Sequence, residues 1–142
     1  MTRGLVTLIR LSRRQVDDKR RQQADLERMR EQLQAKAAAL DAEIAAERRL
    51  AAGSLELAQT YAAFAEGARN RQAVLARSIA DVETAIATAM EELAAAFQEL
   101  KRYEIAHERE EARIAATRAS RQQQQLDEIA LDQHRRRRAE LG

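Results

Sequence analysis

Apolar side chains recur along the first third of the chain at Leu5, Leu8, Ile9, Val16, Leu26, Met29, Leu33, Ala37, Leu40 and Ile44. Steps of three and four residues gather such a set on one stripe of an α-helix, so the pattern predicts a first helix over about residues 2–51. Gly53-Ser54 then breaks the stripe. Glycine suits a helix C-terminus and serine the N-cap of the next helix, which predicts a turn at about 52–55. Beyond it Leu75, Val82, Ala89, Ala96 and Tyr103 stand seven apart, with Ile79, Ile86, Leu93, Leu100, His107 and Ile114 as a partner row. These are heptad positions d and a, with Met90 and Phe97 widening the stripe at e, and they predict a second helix over about 56–138. A sustained seven-residue repeat implies a left-handed supercoil.

A short turn between two long helices makes them antiparallel neighbours. The expected fold is therefore all-α: a long antiparallel two-helix coiled-coil hairpin with an overhanging C-terminal helix, forming a single coiled-coil domain over 1–142. At 1.5 Å per residue the first helix would run about 75 Å and the second about 120 Å. Leu75, Ile79, Val82, Ile86, Leu93, Leu100, Tyr103 and Ile114 are expected to form the seam. Past Ile114 that row meets Thr117, Arg121 and the Gln122–Gln125 tract, so the overhang is expected to fray alone and to order on a partner.

Composition narrows the reading further. The chain has no proline and four glycines in 142 residues, which leaves helix as the local preference almost throughout. Hydrophobic content is 45%, but alanine supplies much of it and aromatic residues only 3%, too little bulk for a thick globular core. Such a chain offers surface instead of enclosing a pocket. With 25 Lys and Arg against 23 Asp and Glu the net charge is only +2, so distribution matters more than sum. Arg13, Arg14, Lys19, Arg20 and Arg21 crowd the first helix, and Arg135, Arg136, Arg137 and Arg138 form a run near the end. The absence of cysteine excludes disulfides and thiol catalysis and agrees with a reducing cytosol. The opening Met1–Val6 lacks the apolar core of a signal peptide, and no stretch approaches the ~20 apolar residues of a membrane span, so the chain reads as soluble and unprocessed.

Little in the sequence points to catalysis. His107 and His134 are the only histidines, too far apart along a helix to share a ligand. Glu108, Glu110 and Glu111 beside His107 read as a solvated face, and His107 as a polar seam residue that fixes register. No glycine-rich phosphate loop occurs. The expectation is no enzyme activity, no catalytic residue, no cofactor, no metal and no small-molecule substrate. The four-arginine run could meet nucleic-acid phosphates, but no aromatic platform or groove-reading motif accompanies it, which favours a tail that docks on an acidic protein face or is merely solvated.

Four clusters carry a family resemblance. Leu5–Leu11 followed by Gln15-Val16-Asp17-Asp18 and Lys19-Arg20-Arg21, then Tyr61-Ala62-Ala63-Phe64, then Leu100-Lys101-Arg102-Tyr103, and finally Leu126-Asp127-Glu128-Ile129-Ala130 after the glutamine tract resemble, in order and spacing, the flagellar FliJ family of the type III export apparatus. The resemblance spans most of the chain. It implies a cytoplasmic coiled coil, peripherally associated with the inner-membrane export apparatus, whose partners are the export ATPase FliI, the export gate FlhA and export chaperones. The family is similar to the central stalk of rotary ATPases, with the paired ends entering the ATPase ring and promoting its assembly and turnover. On that resemblance Arg13, Arg14 and Arg135–Arg138 are candidate ring contacts. Phe64 matches an aromatic of the family's gate-binding patch, whereas Ala68, Arg71 and Leu75 depart from its leucine, small residue and histidine. Three other readings stay open at this stage: an injectisome stalk of the same architecture, a basic coiled coil that binds nucleic acid, and a homodimeric scaffold.

Overall fold

The computed structural model describes residues 2–142. It contains two helices, α1 (Thr2–Ala51) and α2 (Leu55–Leu141), packed against each other as an all-α helical hairpin. The turn is short and closed by its own backbone: the Gly53 N–H donates to the Leu50 carbonyl at 3.2 Å, and the Ala58 N–H to the Ser54 carbonyl at 3.0 Å. Ser54 caps α2, its Oγ accepting from the Leu57 N–H at 3.2 Å and so satisfying one of the orphan donors of the first turn. Gly53 follows the helix C-terminus as the sequence suggests, without a positive φ. The i to i+3 bond back to Leu50 turns the chain without one.

The chain divides into two compact units, Arg14–Phe97 and residues 1–13 with Gln98–Gly142. In the first, α1 buries Val16 and Leu40 and half-buries Lys19, Gln23, Leu26, Arg30, Leu33, Ala37 and Ile44. Facing them, α2 buries Ala65, Ala68, Val82, Ile86 and Ala89 and half-buries Tyr61, Gln72, Leu75, Ile79, Leu93 and Ala96. Both sets step alternately by three and four residues, the spacing that knobs-into-holes packing demands. Gln72 bridges to Asp41 at 2.8 Å across the pair, and Lys19 Nζ to Glu92 at 2.9 Å.

In the second unit the same alternation runs through Leu5, Ile9 and Ser12 on α1, and through Leu100, Tyr103, His107, Glu110 and Ile114 on α2. From Ala115 onward every α2 side chain is exposed, with no described residue of α1 opposite it. The helix nevertheless continues through Leu141, past the Arg138 that the sequence suggests and through the segment expected to fray. Its Ala, Gln, Glu and Arg content and the absence of proline keep the backbone preference helical to the end.

Two residues of the stripe predicted for the first helix stand off the seam. Leu8 is 41% exposed and Met29 49%. The rows pass instead through Ser12, Lys19, Gln23 and Arg30, polar residues that an apolar count overlooks. Lys19 can occupy such a place because its aliphatic stem lies along the seam while its ammonium leaves to meet Glu92. Surface ion pairs on single helices, Arg21–Asp18, Arg28–Asp25 and Arg113–Glu110, add little individually.

Because the contact layer is one seam thick, its large side chains should dominate stability. Ile86→Ala removes a side chain that is only 6% exposed and is expected to cost about 2–4 kcal/mol. Met29→Ala should stay within about 0.5 kcal/mol. Urea unfolding followed by circular dichroism compares the two, and equal losses would contradict this placement of the seam.

Candidate interaction surfaces

The exposed basic groups lie at defined places on the two helices. In the unit containing both chain ends, Arg135, Arg136, Arg137 and Arg138 sit on the last turns of α2, exposed and inside the helix. Four consecutive residues cannot share a face at 100° per residue, so the run surrounds the helix with positive charge. Along the same uncovered stretch Leu126 is 60% exposed, and Ile129 and Leu131 are each 55%. A shallow groove runs beside Gln125, Glu128, Ile129, Leu131, Asp132 and Arg135. Apolar side chains flanked by charges of both signs, with no described residue over them, are the pattern expected of an association surface.

Arg13 belongs to this unit as well. Its guanidinium lies 4.0 Å from Glu104, a long and solvated pairing. Arg14, the first residue of the other unit, is exposed. The structure thus leaves Arg13 and Arg14 accessible on α1 and Arg135–Arg138 accessible on α2.

Nearer the turn, Phe64 is half-buried, with the Tyr61 ring 6.4 Å away at a tilt of 40°. The Arg71 guanidinium lies 5.9 Å from the Phe64 centroid, at the limit of a cation–π contact. Ala68, one turn further along, is 1% exposed and belongs to the seam. Leu75 is half-buried in the same seam. Of the patch suggested by resemblance, Phe64 and Arg71 therefore offer surface, whereas Ala68 does not. A groove of about 540 Å³ opens beside them between the helices, lined by Ala39, Leu40, Val74 and Leu75 and rimmed by Lys36, Glu43, Asn70 and Arg71. Val74 is 65% exposed. It falls outside both heptad rows, so periodicity alone passes over it.

One further contact escaped the sequence reading. Arg20 lies over Phe97 at 4.8 Å from the ring centroid, covering part of an aromatic that is still 40% exposed. The residues are far apart in sequence, and only the e position of Phe97, beside the seam, marks it as reachable from α1.

Two local interactions set the titration behaviour. The Tyr103 hydroxyl donates to Glu99 at 3.0 Å. That hydrogen bond, followed by the negative charge of Glu99, raises the Tyr103 pKa above its ordinary value. Glu110 is lowered by its hydrogen bonds from Arg113 at 2.8 and 3.3 Å. Among the described residues no group of His, Cys, Asp and Glu is placed to hold a metal ion. Nor is any described helix long and apolar enough to cross a membrane.

The sign for Tyr103 follows from its neutral form being the hydrogen-bonded one. Its stabilising contribution is complete below the ordinary phenol pKa and is lost as pH rises through the elevated folded value. Absorbance titration of phenolate should resolve a Tyr103 step above the ordinary tyrosine value. Glu99→Gln should bring the Tyr103 step down; an unchanged step would show that Glu99 is not its cause.

The family model described as "Flagellar FliJ protein" matches residues 1–139. A flagellar FliJ protein from Caulobacter vibrioides strain NA1000 / CB15N is 30% identical over 144 aligned residues, covering 100% of this chain and 99% of the relative. The flagellar FliJ protein of C. vibrioides strain ATCC 19089 / CB 15 matches with the same identity and coverage. No solved structure matches the chain. A family match over nearly the whole length, on a two-helix hairpin of this construction, places the chain in the flagellar FliJ family.

Proposed function

We propose that this chain is a non-enzymatic component of flagellar protein export that engages the export ATPase FliI and promotes assembly and turnover of its ring. The observation that carries the reading is the bare end of α2: from Ala115 to Leu141 it is helical, wholly exposed and ringed by Arg135–Arg138. A free helix with apolar and cationic side chains lacks partners within its own chain and is suited to a socket in another protein. Arginine fits such a socket well, since its planar fork can pair bidentately with carboxylates on ring loops.

No chemistry by this chain is required. A helical element held unequally by the subunits of a symmetric ring stabilises the conformation of one subunit over its neighbours. That differential binding is the condition for shifting a conformational equilibrium. Arg13 and Arg14, exposed on α1, would add contacts. The Phe64 and Arg71 surface would meet the export gate FlhA, and the hairpin would assist export chaperones. In this reading the chain acts in the cytoplasm at the inner-membrane export apparatus.

The test is to mix the chain with purified export ATPase from the same genome, following ATP hydrolysis and counting rings by electron microscopy. The full chain should raise both. A chain ending at Ile114, which keeps every buried seam residue, should lose most of the stimulation while remaining helical. Replacing Arg135–Arg138 by alanine should weaken it and flatten its dependence on salt. An ATPase that responds equally to the shortened chain would contradict the assignment to the α2 end.

A further inference from the structure

A notch of about 280 Å³ lies in the unit that holds both chain ends, lined by Val6, Ile9, Arg10 and Arg13 of α1 and by His107 of α2. Its chemistry is divided. Val6 and Ile9 supply aliphatic surface, and two guanidiniums one helical turn apart supply charge. Arg10 has no acceptor among the described residues, and Arg13 has only the distant Glu104 carboxylate at 4.0 Å. His107 occupies a heptad a position, and its Nδ1 is shut from solvent with no hydrogen-bond partner.

That last fact constrains the ring. A buried N–H without an acceptor is among the least tolerated polar arrangements, which favours the tautomer with the proton on Nε2. Nε2–H is then the donor that the ring can offer to the notch. Arg10, Arg13 and the His107 ring thus line one notch with an aliphatic floor, where among the described residues the Glu104 carboxylate pairs with Arg13 alone, at 4.0 Å.

We infer that this notch is a binding site for a carboxylate on an aliphatic stem, of which a glutamate side chain presented by a protein partner is the natural source. The methylenes would lie on Val6 and Ile9, and the carboxylate would accept from Arg10, Arg13 and His107 Nε2. A phosphate matches the donors but leaves the aliphatic floor unused, which favours the carboxylate. For Arg13 the assignment deepens the ATPase-contact reading by naming the group that the arginine receives. The site itself is tested on the chain alone, so its failure and the failure of that reading are distinguishable.

The chain carries two histidines, and His134 on the exposed end of α2 serves as an internal control. Imidazole nitrogen and carbon resonances are followed by NMR while sodium propionate is titrated at constant ionic strength, with inorganic phosphate as a second arm. His107 should shift along a saturable curve while His134 moves little. Arg10→Gln, a change at an exposed position, should weaken the apparent affinity about tenfold, the scale of one charge-assisted hydrogen bond. Circular dichroism checks that the variant stays helical. Linear shifts shared by both histidines, or an unchanged curve in Arg10→Gln, would overturn the site. Tighter saturation by phosphate than by propionate would overturn the carboxylate assignment.

Discussion

Everything in this protein depends on a single constraint: a buried side chain must recur alternately every three and four residues on both helices, because one seam is all the core the chain has. The constraint leaves most of each helix circumference outside the seam, which is why so many charged residues are tolerated. It also makes small residues useful. Ala65, Ala68 and Ala89 are buried, and their lack of bulk lets the opposing helix approach, at the cost of little apolar area per layer.

The same constraint separates structure from function. Seam positions must pack, so an interaction surface has to be built from residues that flank the rows or lie beyond their end. Phe64 and Arg71 flank them, Val74 lies outside, and the segment from Ala115 to Leu141 has no opposing helix. Side chains at these places can change without disturbing the hairpin. Conversely Ala68, although it falls within a patch suggested by family resemblance, is committed to packing and carries no surface.

Much of the architecture was legible in the residues, for reasons that can be stated. Absence of proline and the Gly53-Ser54 pair located two helices and one turn, and Ser54 does cap the second helix. Leu8 and Met29 are apolar but out of phase with the seam. A strict alternation from Leu5 through Ile9, Val16, Leu26, Leu33, Ala37, Leu40 and Ile44 skips both and lands on Ser12, Lys19, Gln23 and Arg30. The Arg20 contact with Phe97 and the notch around His107 were not legible, since both arise from residues of opposite helices and need the register between them. Family membership was readable from ordered motifs, whereas the partner-facing side chains were not, because arginine and glutamine at a helix end look alike whether they dock or merely dissolve.

The central claim is that the seam ends at Ile114 and leaves a helix without a partner beyond it. Amide hydrogen exchange along α2, measured on the chain alone, tests this most directly. Amides of the paired stretch from Leu75 to about Tyr103 should be strongly protected, and those from Ala119 onward should exchange orders of magnitude faster, since only local helix opening limits them. Uniform protection from Leu75 through Leu141 would show that the end of α2 is covered by contacts this structure does not contain, and would contradict the account.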